Sequence, residues 1–87
     1  MLYFMAFLSV AKADGYLTEA NGDELEAALA LAYDLTGGET PGSVEIHHAL
    51  YLIRDAHGQP AASYDDTRVS LRDRGWCNET RIERGQP

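Results

Sequence analysis

Residues 24–35 carry the sequence ELEAALALAYDL, the most regular helical pattern in this 87-residue chain. Ala, Leu and Glu dominate it, and all three are strong helix formers. Its apolar stripe consists of Leu25, Ala28, Leu29, Ala32 and Leu35. Thr18 is a suitable N-cap and Gly37-Gly38 a suitable stop. The pattern therefore predicts an amphipathic helix near residues 19–36.

An apolar segment precedes this helix. Tyr3, Phe4, Phe7 and Leu8 recur at helical spacing, and Asp14-Gly15 follows as a turn signal. We predict a first helix near residues 2–13, buried on its aromatic side. A strand over residues 1–10 is the alternative, because aromatic residues also favour strands.

A second apolar stripe follows the loop at 37–43. Ile46, Ala49, Leu50 and Ile53 share one face of a helix, and Gly58 and Pro60 form a normal stop. We predict a third helix near residues 44–57. The same stretch also alternates in the manner of a strand over 44–54, which leaves an α+β domain as the alternative.

The pattern weakens over residues 59–87. Thr67 is a suitable N-cap for a short helix at 68–74, which Gly75 would stop. The segment is therefore predicted as either a short fourth helix or an irregular tail. Taken together, residues 1–87 are predicted to form one small all-α domain with three main helices.

Charge divides the chain unequally. Residues 1–50 hold eight acids and only one base, Lys12, whereas residues 51–87 hold six acids and six arginines. The net charge of −7 argues against nucleic-acid binding, because that requires clustered bases to neutralise phosphates. Protein partners are compatible with this charge.

The chain has a single cysteine, Cys77, which excludes an intrachain disulfide and favours a reducing, cytoplasmic compartment. Residues 2–11 are almost wholly apolar, in the manner of a secretion signal, but no base precedes them. The run is also too short to span a bilayer as a helix. We therefore predict a buried helix here, with no membrane association.

Recognisable catalytic and cofactor motifs are missing from the sequence. Cys77 has no evident base and orienting acid beside it, and no phosphate loop or dinucleotide fingerprint occurs. We predict no enzymatic activity, no cofactor and no metal. The alternative is a small metal- or ligand-binding domain built from the Asp14–Asp23 junction and the histidines, which are His47, His48 and His57.

The Ala13-Asp14-Gly15 stretch resembles the helix–Ala-Asp-Gly–helix junction of TerB-like tellurite-resistance domains. The resemblance covers about 25 residues, and Asn21 stands where that family usually has an acid. It implies a device that joins two helices, and it implies no activity.

Two groups of residues are candidates for binding surfaces. Arg68, Arg72, Arg74 and Trp76 combine the residue types most enriched at interaction hot spots. They are expected to bind an acidic partner, or to fold back on the acidic helices of this chain or of a second copy. Tyr3, Phe4, Phe7 and Leu8 are the candidate self-association surface, giving a homodimer or higher oligomer.

These features favour a small, acidic, non-enzymatic protein–protein interaction module. In size, acidity and lack of motifs it is similar in character to accessory proteins of phages and mobile elements, including inhibitors of host proteins. The sequence does not identify the partner protein.

Overall fold

The computed structural model describes residues 7–76, and this part of the chain is all-α. Its four helices are α1 (Val10–Glu19), α2 (Glu24–Leu35), α3 (Ser43–Ala56) and α4 (Tyr64–Asp73). Between residues 7 and 76 no strand occurs, so the all-α class is confirmed and the α+β alternative is not supported.

The first helix lies further along the chain than its apolar pattern predicts. Ser9 accepts a hydrogen bond from the Lys12 backbone N–H at 3.2 Å, and it thereby caps a helix that begins at Val10. Residues 7–9 are not helical. The predicted positions 1–6 lie outside the described residues.

The predicted turn at Asp14-Gly15 lies inside α1. This helix ends instead where Asn21 and Gly22 both adopt positive φ, at 57° and 83°. The Gly22 backbone N–H donates to the Leu17 carbonyl at 2.8 Å, the long hydrogen bond that closes a Schellman motif. Ala13-Asp14-Gly15 is therefore not a junction between helices, contrary to what the TerB-like resemblance implies.

The N-cap of α2 is Asp23, whereas Thr18 lies within α1. One Asp23 carboxylate oxygen accepts from the backbone N–H groups of Leu25 at 3.1 Å and Glu26 at 3.4 Å. An acid at this position also suits the positive end of the helix dipole. The predicted helix at 19–36 therefore covers the last residue of α1, the loop at 20–23 and the whole of α2.

The core forms where α3 packs against α2, with α1 and α4 on either side. The apolar stripe predicted for α3 is buried: Ile46, Ala49 and Ile53 are fully buried, and Leu50 nearly so. Leu8 joins this core from the segment before α1. Leu52 is buried as well, but Val44 is exposed, so burial over 44–54 follows the helical period and not the alternation of a strand.

The fourth helix is longer than predicted and starts earlier. Ser63, not Thr67, is its N-cap and accepts from the Asp66 backbone N–H at 3.0 Å. Thr67 is buried within the helix, and Leu71 is its other buried residue. Gly75 has a φ of 81° and ends the helix as predicted, after which Trp76 packs against the core.

None of the helices between residues 7 and 76 is long and apolar enough to cross a bilayer.

Candidate functional site

A groove of about 780 Å³ lies between α4, the start of α2 and the second half of α3. Leu25, Leu50 and Thr67 are buried residues in its lining. Arg54 and Arg74 also line it. Concave sites with a few polar groups commonly hold ligands. Whether this groove could bind an anion depends on whether its two arginines are already paired.

Both groove arginines are held by acids of α2. Arg54 donates from Nε and Nη2 to one Glu24 oxygen, at 3.1 and 2.9 Å. Arg74 donates from Nη1 and Nη2 to the two Asp23 oxygens, at 2.7 and 3.0 Å. These contacts neutralise the guanidinium groups within the protein. The groove is therefore better understood as a seam that ion pairs hold together than as an anion site.

Arg74 and Asp23 form a fork-to-fork pair in which each group favours the charged form of the other. Hydrogen bonding to Arg74 lowers the pKa of Asp23, and the same contact raises the pKa of Arg74. A second acid, Glu26, also lies nearby, with its Oε2 atom 3.7 Å from Nη1 of Arg74. Arg74 thus folds back on the acidic N-terminus of α2 in this chain.

The four residues predicted as one interaction surface are distributed over different parts of the molecule. Arg74 lies in the groove, and Trp76 is partly buried against the core. Arg68 and Arg72 lie away from the groove lining, one turn apart on α4. Positions 72 and 74 are only two residues apart, but two residues correspond to about 200° around a helix, so their side chains point to different sides.

Arg68 belongs to an aromatic cluster that the sequence did not reveal. Its guanidinium carbon lies 5.9 Å from the centroid of the Tyr64 ring, a cation–π distance. The His47 ring meets the same tyrosine edge-on, with centroids 5.5 Å apart. The Tyr64 hydroxyl is 2.8 Å from the Ser43 hydroxyl. Residues from α3 and α4 therefore hold Tyr64 in one orientation.

The orientation of His47 is also determined by its contacts. Thr67 donates its single hydroxyl proton to the Ser63 carbonyl at 3.1 Å. Its oxygen is then an acceptor for His47 Nδ1, which lies at 3.2 Å. A buried threonine thus fixes the histidine ring that packs against Tyr64.

Two further side chains extend this cluster along α3. Tyr51 follows His47 by one helical turn, and Val44 shares a face with Tyr51 at a spacing of seven residues. Val44 is 58% exposed, Tyr51 43% and Tyr64 38%. We call this surface the α3–α4 face, and it consists of Val44, His47, Tyr51, Tyr64, Arg68 and Arg72.

The histidines and the Asp14–Asp23 junction do not converge on one point. Asp14 contacts His57 at 2.8 Å, but Asp23 contacts Arg74, and His47 lies beside Tyr64. Among residues 7–76 no group of three or more His, Cys, Asp or Glu side chains is placed to hold a metal ion. Cys77 lies outside the described residues.

His57 joins the end of α3 to α1 and faces two hydrogen-bond acceptors. Nε2 lies 2.8 Å from an Asp14 carboxylate oxygen and Nδ1 lies 3.3 Å from the Ile53 carbonyl. Only the doubly protonated ring can donate to both. The hydrogen bond to Asp14 accordingly raises the pKa of His57 above its ordinary value of 6.5.

This arrangement predicts a pH-dependent stability. Because the folded state raises the pKa of His57, its stabilising contribution is fully present below pH 6.5 and is lost as the pH rises through the raised value. Asp14→Asn is expected to flatten the pH dependence of the free energy of unfolding, measured by urea unfolding from pH 6.5 upwards through the raised pKa of His57. Glu19→Gln removes an acid of the same helix and should leave the slope unchanged. An unaltered slope in Asp14→Asn would show that the Asp14–His57 contact does not control it.

On the other side of the core, α1 contacts α2 through Tyr16. Its hydroxyl donates to an Asp34 carboxylate oxygen. Partial burial, that hydrogen bond and the nearby charges of Asp34 and Glu19 raise the pKa of Tyr16 to about 12. The Tyr16 hydroxyl therefore stays protonated at physiological pH, and its hydrogen bond to Asp34 joins α1 to α2.

The predicted self-association surface is divided by the structure. Leu8 is a core residue with 3% of its surface exposed, so it is not available to a second copy. Phe7 is 70% exposed. Tyr3 and Phe4 lie outside the described residues. The surface as predicted is therefore wrong at Leu8, and self-association itself stays a prediction.

No protein-family model, no curated protein and no solved structure matches this chain.

Proposed function

We propose that this chain is a non-enzymatic protein–protein interaction module and that the α3–α4 face is its binding surface. The observation that supports this surface is the aromatic cluster around Tyr64. Tyr and Arg are enriched at binding hot spots, and here they lie together with partly exposed apolar area.

Preorganisation also supports the choice of this face. Tyr64 is held by Ser43, His47 and Arg68, and His47 is in turn held by Thr67. Side chains that are fixed before binding lose less entropy when a partner docks. The groove offers no comparable feature, since its arginines are already paired with acids.

The narrower role, that of a phage or mobile-element accessory protein that inhibits a host protein, remains part of this proposal. It rests on size, acidity and the absence of catalytic motifs in the sequence. A homo-oligomer is a separate expectation, and the α3–α4 face does not require it.

A photo-crosslinking residue at position 51 tests the proposed surface. In lysate of the source organism we expect a discrete adduct from position 51, and competition by excess unmodified protein should abolish it. The same residue at position 30, an exposed site on α2, is the matched control and should give no such adduct. Tyr64→Ala should remove the adduct at position 51, because it removes the centre of the cluster.

Equal crosslinking from positions 51 and 30, or an adduct that Tyr64→Ala leaves intact, would contradict the proposal. Either result would mean that contact with other proteins is not specific to this face.

A further inference from the structure

We propose that the corner between α1 and α2, residues 20–23, is a modification site at which Asn21 deamidates through a cyclic imide formed with the Gly22 backbone nitrogen. Both residues are exposed to solvent. Asn-Gly is well suited to this ring closure, because glycine has no side chain to hinder the approach of its nitrogen. The reaction needs only water, so it is independent of the binding surface proposed above.

The reaction replaces an amide with a carboxylate in two steps. The Gly22 nitrogen loses its proton to solvent base and attacks Cγ of Asn21, and the bond to the side-chain nitrogen breaks to release ammonia. Water then opens the imide at either of its two carbonyls. One opening gives aspartate, and the other gives isoaspartate, in which the main chain runs through the former side chain. Each product carries one more negative charge than the parent, whose net charge is −7.

The folded corner holds back the nitrogen that must attack. The Gly22 backbone N–H donates to the Leu17 carbonyl at 2.8 Å, and the Asn21 backbone N–H donates to the Thr18 carbonyl at 3.1 Å. Solvent base removes a hydrogen-bonded proton less readily, and a nitrogen fixed in this way cannot move towards Cγ. Ring closure therefore requires the corner to open first. Its rate depends on the fraction of molecules in which the bond to Leu17 is broken.

A second sequence of the same chemical type is better protected by the fold. Asp14-Gly15 can form the same imide with loss of water, but both residues lie within α1, and Asp14 contacts His57 at 2.8 Å. Asn21 and Gly22 lie just past the end of this helix, and helix ends fray more readily than helix interiors. The structure thus favours reaction at Asn21 over reaction at Asp14.

The modification lies next to a residue that joins two helices. Asp23 follows Gly22 directly, caps α2 and forms an ion pair with Arg74 at the end of α4. Isoaspartate lengthens the main chain just before Asp23, and it displaces the Gly22 N–H from the Leu17 carbonyl. Aspartate at position 21 keeps the normal main chain, and Asp tolerates a positive φ nearly as well as Asn does. Isoaspartate is therefore the product that disturbs the corner.

The test follows the full chain by peptide mapping with mass spectrometry, in native buffer and in urea that unfolds it. A mildly alkaline pH favours removal of the amide proton and so accelerates ring closure. In urea we expect Asn21 to react ahead of Asn78, which precedes the bulkier Glu79. In native buffer we expect the same product at Asn21, formed about tenfold to a hundredfold more slowly, because the corner must open.

Two variants distinguish opening of the corner from unfolding of the whole chain. Asp23→Ala removes the side-chain cap of α2 beside the corner, and Ser63→Ala removes the equivalent cap of α4. Loss of an N-cap typically shifts a local equilibrium by about fivefold. We therefore expect native deamidation to be about fivefold faster in Asp23→Ala and within about twofold of the parent in Ser63→Ala. In urea all three chains should react at the same rate.

Several results would overturn the proposal. Equal rates in native buffer and in urea would show that the corner does not protect the Gly22 nitrogen. Native chain without product after about ten times the duration of the urea reaction would show that the corner does not open. Faster reaction at Asn78 than at Asn21 in urea would assign the chemistry to the wrong residue. Equal acceleration by Asp23→Ala and Ser63→Ala would mean that global unfolding, and not the corner, controls the reaction.

Discussion

Ile53→Ala is expected to lower the free energy of unfolding by about 2–5 kcal/mol, the cost usual for truncating a buried aliphatic side chain to alanine. Ile53 is fully buried on the face of α3 that meets the rest of the core. Small domains have only about 5–15 kcal/mol of total stability. Truncation of Ile53 therefore removes a large fraction of the free energy of unfolding that keeps the chain folded.

Urea unfolding followed by far-UV circular dichroism measures this change. Val44→Ala is the matched control, because it shortens another β-branched residue of the same helix at a site that is 58% exposed. Its effect should be within about 0.5 kcal/mol of zero. Comparable destabilisation by the two variants would mean that Ile53 does not lie in the core described here.

The second large effect concerns the attachment of α4. This helix buries only Thr67 and Leu71, and Leu71 is its one buried apolar side chain. A ten-residue helix is marginal by itself in water, so α4 depends on packing. We expect Leu71→Ala to cost about 2–5 kcal/mol and to expose the backbone amides of α4 to solvent exchange.

Hydrogen exchange resolved by residue, together with the fluorescence of Trp76, follows this change. Trp76 is the only tryptophan and packs against the core just after α4, so its emission should shift towards that of an exposed indole. Val69→Ala alters an exposed position of the same helix and should preserve amide protection. Protection of α4 that persists in Leu71→Ala would show that polar contacts alone hold the helix.

Local signals in the sequence were sufficient for α2 and α3. Their stripes are long and continuous, and the helical period identifies most of the buried residues. Ala27, Leu31 and Leu52 are buried outside the predicted stripes, and Leu29 is only partly buried. The stop signals at Gly58 and Gly75 also act as predicted, because a positive φ there carries little steric cost for glycine. The all-α class follows from these features.

Local signals were misleading at the first helix. Asp14-Gly15 has the composition of a turn, yet the helix continues through it and ends at Asn21-Gly22. Gly15 adopts no positive φ, and packing of Ala13 in the core supports the helix around it. Leu8 is buried beside an exposed Phe7 because residues 7–9 are not helical, so helical spacing did not apply there.

Neither the Tyr64 cluster nor the ion pairs of the groove were accessible from sequence patterns. Tyr64 meets Ser43 and His47 across about twenty positions, and Arg74 meets Asp23 across fifty-one. Such pairs depend on how helices cross, which local periodicity does not encode.

The sequence by itself determined the helical class, the core stripes of α2 and α3 and the acidic character of the first fifty residues. These properties depend on composition and on neighbours within one or two turns. Only the tertiary structure decided that Arg54 meets Glu24, that Arg74 meets Asp23 and that Arg68 lies over the Tyr64 ring. The reason is physical: each helix has several sides, and packing of the core selects which side of α4 meets α3 and which meets solvent.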